Sequence, residues 1–145
     1  MDVMRAQVVA EARTWIGTKF QHNQSCKGHG CDCIGLVIGV FRALGCIAPD
    51  YYPPAYSQQW HAHKNEELLL HNAQAMGFSI KASDPLPGDL LIFQYGRVCS
   101  HAGIYLGEDS FVHAYFSLHR AVIQPLRGEL KDRMRHVMIS PWVID

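Results

Sequence analysis

The feature that most constrains this chain is an almost wholly apolar run from Cys33 to Gly45, which reads CIGLVIGVFRALG. Its length and the glycine at its end favour a buried central helix, although the isoleucine and valine content leaves a buried strand as the alternative. The preceding residues 17–32, GTKFQHNQSCKGHGCD, show no sustained apolar period and predict a loop. Because a long loop in a small domain often lines a functional site, Cys33 is predicted to open a helix beside such a site.

Further helices and a set of strands are predicted around this run. Apolar spacing predicts an amphipathic helix over Asp2–Ile16, with Asp2 as its cap and Gly17 as its stop, and another around Glu66–Met76. Prolines and tyrosines at 48–59 predict an extended connection, either a groove wall or a crossover packed against the core.

The second half of the chain changes character after the PLPG at 85–88. The runs DLLIFQY, HAGIYLG, SFVHAYF and HVMISPWVI are short, apolar or alternating, and separated by turn residues, so they predict antiparallel strands. Helices followed by strands predict a single α+β domain over residues 1–145, with the helices packed on an antiparallel sheet or a small barrel.

Composition and charge exclude several classes of function. The 145 residues are 48% apolar, enough for one core, and 13 basic side chains balance 13 acidic ones. Nucleic acid is therefore not an expected partner, and the basic residues at 127–135 are interleaved with acids, which predicts a solvated helix or loop. No run approaches the roughly 18 apolar residues of a membrane span, and the first twenty residues do not predict a secretory signal peptide. We expect synthesis in the cytoplasm and delivery by a virion, a specialised secretion machine or lysis.

Cys33 is the candidate nucleophile. At the start of a helix, its sulfur would lie beside unpaired backbone N–H groups and the positive end of the helix dipole, which predicts a lowered thiol pKa. The same N–H groups can stabilise an oxyanion formed when the sulfur attacks a carbonyl.

His101 and His113 are the candidate base and its orienting partner. They lie on two predicted strands joined by a short turn near Gly107 and Glu108, which predicts that they face each other within hydrogen-bonding distance. One ring would then accept the proton of Cys33 while the other fixes its tautomer, as in other catalytic triads.

A zinc site is the competing interpretation of the cysteine-rich loop. Cys26, His29, Cys31 and Cys33 carry suitable ligands, but no second paired knuckle accompanies them, and a metal would occupy the proposed nucleophile. No metal and no cofactor are therefore expected.

Five segments in this order resemble the NlpC/P60 family of papain-like cysteine peptidases: GTKF at 17–20, DCIGLV at 32–37, PGDLLIF at 87–93, HAGIYLG at 101–107 and FVHA at 111–114. The loop and helix start are similar to stand-alone peptidases of phage tails and gene transfer agents. The resemblance implies a papain-like fold, in which a central helix carries Cys33 as nucleophile and an antiparallel sheet carries His101 as base and His113 as third residue.

The resemblance also implies a substrate and a reaction. It implies hydrolysis of the amide between γ-D-glutamate and a diamino acid in peptidoglycan stem peptides, through a thioester acyl-enzyme, at the bacterial cell wall. The expected substrate-binding residues are Phe20, His22, Asp32 and Ser100, with Asp32 also a candidate helix cap. Phe20 replaces the usual family tyrosine, and its missing hydroxyl bears on specificity. Proteins of a phage tail or a secretion machine are further expected partners.

Three classes of function remain open at this point. The first is a cell-wall peptidase, the second a thiol acyltransferase or amidase acting on another acyl substrate, and the third a non-catalytic module with the same fold. The first two need a reactive Cys33, whereas the third needs only the fold.

Overall fold

The computed structural model describes residues 2–51 and 67–144 of the chain. Its helices are α1 (Val3–Arg13), α2 (Cys33–Ala43), α3 (Leu68–Ala75) and α4 (Glu129–Arg133). Its strands are β1 (Ser25–Cys26), β2 (Gly30–Cys31), β3 (Ser79–Lys81), β4 (Leu90–Tyr95), β5 (Val98–Gly107), β6 (Ser110–Tyr115), β7 (Arg120–Pro125) and β8 (Met134–Ile139).

The main sheet has six strands in the order β3-β8-β4-β5-β6-β7, and every pairing between neighbours is antiparallel. The sheet is open, with β3 and β7 as its edges, so the predicted α+β class is confirmed and the small-barrel alternative is wrong. A separate pair, β1 and β2, forms a hairpin within the loop that precedes α2.

Each face of the sheet is covered by apolar side chains. The helix-side face carries a large core that includes α2, which is buried from Cys33 to Phe41. The opposite face carries a smaller core under α4 and the start of β8; its buried members are Leu91, Phe93, Tyr105, Phe111, Leu126 and Val137. Burial on both faces explains why β4 and β5 read as nearly continuous apolar runs rather than alternating ones.

Two glycines in α2 let other segments approach the helix. A side chain at Gly35 would collide with the backbone of Gln24, and one at Gly39 would collide with the ring of Trp15. The loop before the helix and the end of α1 therefore pack directly against the α2 backbone, which fixes the position of its first residue, Cys33.

The predicted elements are found with shifted bounds. The central helix is confirmed over Cys33–Ala43, whereas the first helix ends at Arg13 rather than Ile16, and Asp2 makes no side-chain cap bond to it. The carboxylate of Asp2 instead accepts from the backbone N–H of Ile144. The second amphipathic helix begins at Leu68, inside the predicted range. The predicted connection at 48–59 lies outside the described residues, apart from its first four.

Three further differences concern local pairing. The predicted loop at 17–32 contains the β1–β2 hairpin, and the unpredicted strands β3 and β7 extend the sheet at both edges. The segment 127–135 contains the short helix α4, which confirms the helical option. Among the helices of residues 2–51 and 67–144, none has the length and apolar character needed to cross a bilayer.

Candidate functional site

Asp32 holds the start of the helix that carries Cys33. One carboxylate oxygen accepts from the Gly35 N–H at 2.8 Å, and the other accepts from the Asn23 N–H at 2.7 Å. The predicted cap is confirmed. Because Asp32 joins the loop to the first turn of α2, it fixes the helix N–H groups around the cysteine.

The sulfur of Cys33 lies against the backbone of β5. It accepts from the N–H of Ala102 and from that of Ile34 in its own helix. On β5 the N–H of Tyr105 points to the β4 side, so the N–H of Ala102, three residues away, points to the β6 side. The paired register of β5 with β6 covers Ile104–Gly107, so the Ala102 amide bonds the sulfur where the two strands have parted.

The pKa of Cys33 departs from the sequence prediction. Burial, with a smaller contribution from the negative charge of Asp32, raises the pKa of this thiol to about 12, against the lowering effect of the two N–H groups. The predicted low pKa is therefore wrong, because the cost of burying a thiolate exceeds the stabilisation by the helix terminus. The sulfur is a protonated thiol at pH 7.

His101 forms a short hydrogen bond with His113. Nε2 of His101 lies 2.7 Å from Nδ1 of His113, which confirms the predicted adjacency. Burial lowers the pKa of His101 well below its usual range, with the nearby His113 ring contributing, and burial lowers the pKa of His113 to about 4. Both rings are therefore neutral at pH 7.

The register of the hairpin differs from the predicted one by two residues. Its turn is Glu108–Asp109, and extending the observed pairing places His113 opposite Gly103 rather than opposite His101. The two histidines are therefore diagonal neighbours on one face. A side chain at Gly103 would come within 2.8 Å of the Phe111 ring and 3.3 Å of the His113 Cβ, so this glycine leaves room for the histidine pair.

The hydrogen-bond chain continues to Gln124, a residue that the sequence analysis missed. Its Oε1 lies 2.6 Å from Nε2 of His113. Gln124 is on β7 opposite Phe111, on the same face as His113. The sequence carried one signal, because the run RAVIQP follows the predicted hairpin and is as long as a strand. That signal identifies a strand only once β7 is seen to pair with β6.

Aromatic rings enclose the histidine pair. Tyr115 stacks on His113 at 5.0 Å between ring centroids, and the ring of Tyr95 meets His101 edge-on at 5.9 Å. The two tyrosine side chains are hydrogen-bonded to each other. Both residues were missed, although period-two alternation puts Tyr115 on the face of His113. The rings exclude water and so maintain the low pKa values of the histidines.

The remaining predicted substrate-binding residues lie around this centre. The ring of Phe20 packs edge-on against Phe116 at 5.6 Å, and Nδ1 of His22 is 3.8 Å from the Asp32 carboxylate. Ser100 is the extra residue of a bulge between β4 and β5, directly before His101, and its hydroxyl donates to the Tyr95 carbonyl. Their roles in binding remain predictions.

The described residues do not support the zinc alternative. Across 2–51 and 67–144, no three His, Cys, Asp or Glu side chains are grouped as a metal ion would require. Of the loop cysteines, Cys26 is exposed, whereas Cys31 is buried and burial raises its pKa to about 12.

A family model described as "NlpC/P60 family" matches residues 15–139, a range that contains all the site residues described above. Two curated relatives are similar in sequence. The γ-DL-glutamyl hydrolase of Bacillus subtilis (strain 168) is 36% identical over 110 residues, which are 74% of this chain and 22% of the relative. The murein DD-endopeptidase MepS/murein LD-carboxypeptidase of Escherichia coli (strain K12) is 30% identical over 112 residues, 77% of this chain and 50% of the relative. The chain thus spans half or less of either relative.

Solved structures share the fold at low sequence identity. The NlpC/p60 domain of the peptidoglycan hydrolase SagA superimposes with a TM-score of 0.61 at 18% identity, covering 93% of this chain and 97% of that domain. RipD of Mycobacterium tuberculosis also gives 0.61, at 14% identity, covering 97% and 99%. RipD is described as a non-catalytic NlpC/p60 domain protein adapted to a peptidoglycan-binding function. The shared fold therefore does not by itself establish catalysis.

Proposed function

The chain belongs to the NlpC/P60 family, and from this premise we propose that it is a cysteine peptidase that hydrolyses peptidoglycan stem peptides. One observation carries the proposal: the Cys33 sulfur is bonded to the amide of Ala102, the residue that follows His101 on β5, and His101 is bonded to His113 at 2.7 Å. We propose Cys33 as the nucleophile, His101 as the base and His113 as the orienting group that hydrolysis of an amide requires.

The chemistry begins from a neutral pair. Nδ1 of His101 takes the thiol proton of Cys33 as the sulfur attacks the substrate carbonyl, and the first N–H groups of α2 stabilise the oxyanion. His101 then gives that proton to the leaving amine, which leaves a thioester on Cys33. A water molecule, deprotonated by His101, hydrolyses the thioester and restores the thiol.

The proposed scissile bond joins γ-D-glutamate to the diamino acid of the stem. The names of the two curated relatives, a γ-DL-glutamyl hydrolase and a murein endopeptidase, support a substrate of this class. Phe20, His22, Asp32 and Ser100 are proposed to contact the stem peptide. We also propose that the protein acts at the bacterial cell wall, delivered as part of a phage or phage-like particle or by a secretion machine.

Defined muropeptides incubated with the protein under reducing conditions test this proposal, with mass spectrometry of the products. Wild-type protein is expected to cleave between D-glutamate and the diamino acid, and Cys33→Ala is expected to give no product above background. Cys26→Ala is the matched control, because it removes an exposed thiol from the same cysteine cluster.

Each other outcome overturns a defined part of the proposal. Cleavage at another bond would overturn the bond assignment and keep the peptidase. Cleavage that persists in Cys33→Ala would overturn the nucleophile. No cleavage by folded wild-type protein would favour another acyl substrate if Cys33 forms an acyl-enzyme with activated esters, and a non-catalytic module if it does not.

A further inference from the structure

The hydrogen-bond chain that begins at His101 continues past His113 and ends at the side chain of Gln124. The three side chains form one line of two short bonds, 2.7 Å between the histidines and 2.6 Å from His113 to Gln124. Gln124 is half-buried on β7, which is an edge strand of the sheet. None of the chemical steps above uses Gln124 directly.

The donor and acceptor of each hydrogen bond in this line follow from the atom of Gln124 that faces His113. In the structure the Oε1 of Gln124 faces Nε2 of His113, and an amide oxygen can only accept, so in this arrangement Nε2 of His113 carries its proton. The neutral ring then has an unprotonated Nδ1, which accepts from Nε2 of His101. With its proton on Nε2, His101 keeps a lone pair on Nδ1.

The reverse direction would disable the base. If a donor faced Nε2 of His113, the proton of His113 would move to Nδ1, and His101 would accept it on Nε2 and carry its own proton on Nδ1. A ring in that tautomer has no lone pair for the thiol proton of Cys33.

We propose that Gln124 is a positioning residue that fixes the tautomers of both histidines, so that Nδ1 of His101 stays an acceptor for the Cys33 proton. The kinetic consequence of this inference rests on the proposed function, whereas the tautomers themselves do not.

The neighbours of His113 explain why the polar partner matters. Tyr115 stacks on the His113 ring with an angle of 20° between the planes, and Phe111 packs at 4.5 Å between centroids. These rings contact the imidazole through its faces and supply no hydrogen bond to Nε2 in the ring plane. The amide of Gln124 is therefore what gives the two tautomers of His113 different energies.

Two substitutions with opposite hydrogen-bonding character test the inference. Gln124→Glu presents only an acceptor at pH 7, and Gln124→Lys presents only a donor. Long-range proton–nitrogen NMR correlations of the two imidazoles report which nitrogen carries each proton, and kcat/KM is measured on the cleaved muropeptide. Gln94→Lys is the matched control, since Gln94 is a half-buried glutamine on β4 whose amide donates to Gly96 outside the line.

We expect Gln124→Glu to keep the wild-type tautomers and to retain kcat/KM within about threefold, because the acceptor remains. Gln124→Lys is expected to reverse both tautomers and to lower kcat about 100-fold, within the usual contribution of a general base, with KM nearly unchanged. Gln94→Lys is expected to change neither measurement.

Wild-type tautomers in Gln124→Lys would overturn the inference, as would a Glu variant as inactive as the Lys variant. A protein that cleaves no stem peptide but shows the reversed tautomers would overturn the proposed function and leave the inference standing. Cleavage with unchanged tautomers in Gln124→Lys would overturn the inference alone.

Discussion

Two buried polar clusters in this molecule are built on opposite principles. In the first, Asp89 at the start of β4 accepts from Arg5 of α1 at 2.8 Å and from Lys81 of β3 at 2.5 Å. In the second, His101, His113 and Gln124 form a line of neutral groups. The first cluster is ionic, and the second carries no charge at pH 7.

The two clusters also differ in the partners that surround their polar groups. Asp89 also accepts from the Leu86 N–H, and Arg5 also donates to the Pro87 carbonyl, so the charges are surrounded by partners. This cluster ties α1, β3 and β4 together. The neutral line instead ends at His101, whose Nδ1 is the proposed acceptor of the Cys33 proton. The ionic cluster stabilises the fold, whereas the neutral line is proposed to take part in the reaction.

The largest expected effect separates the clusters by activity. His101→Gln is expected to lower kcat about 10³-fold or more, because the base is lost, while the free energy of unfolding falls by about 1–3 kcal/mol, because the buried hydrogen bond to His113 is lost. Muropeptide kinetics and urea unfolding measure both. His136→Gln, the same change at a half-buried histidine of β8, is the control, and equal losses in both variants would contradict the assignment of His101.

The second prediction is a large loss of stability with little change in activity. Asp89→Asn is expected to cost about 3–5 kcal/mol of unfolding free energy, because it removes the buried carboxylate that pairs with both Arg5 and Lys81. The kcat of the folded fraction is expected to stay within about threefold of wild type. Asp84→Asn changes an exposed carboxylate on the loop before β4 and should alter stability by less than about 0.5 kcal/mol. A stable but inactive Asp89→Asn would break the distinction between the clusters.

The third and smallest expected effect concerns acid. The folded pKa of His113 is about 4, below the usual 6.5, so between these pH values the unfolded chain binds more protons than the folded one. Stability therefore falls as pH falls through this window, by about 3 kcal/mol at 1.4 kcal/mol per pH unit, and this loss is absent above pH 6.5. Urea unfolding at pH 4 and pH 7 measures it.

The comparison variant for the acid effect is His113→Asn. It is expected to lose less stability than wild type between the two pH values, since the other titrating groups remain and cancel in the difference. Equal losses in both proteins would mean that His113 is not buried in its neutral form.

Sequence reasoning succeeded where the signal is local. The apolar run and the polar loop before it identified the helix and the position of Cys33, and the short turn brought the two histidines together. It failed where the answer depends on packing between distant segments. The pKa of Cys33 was wrong in sign because the burial of its sulfur comes from β5, far along the chain.

The missed elements have the same physical cause. Strand β7 was recognised only through its pairing with β6, and Gln124 was missed with it. The hairpin register was wrong by two residues because the turn is Glu108–Asp109, where two non-glycine residues adopt positive φ angles of 51° and 55°. The local placement and the family resemblance both predicted roles for Cys33 and the two histidines, but neither pointed to Gln124.

The raised pKa of Cys33 has a consequence for the durability of the protein. Peroxides and other oxidants attack thiolates much faster than thiols, and over-oxidation of a cysteine to the sulfonic acid is irreversible. A sulfur that stays protonated reacts with these oxidants more slowly. The burial that raises the pKa of Cys33 therefore also slows its irreversible oxidation.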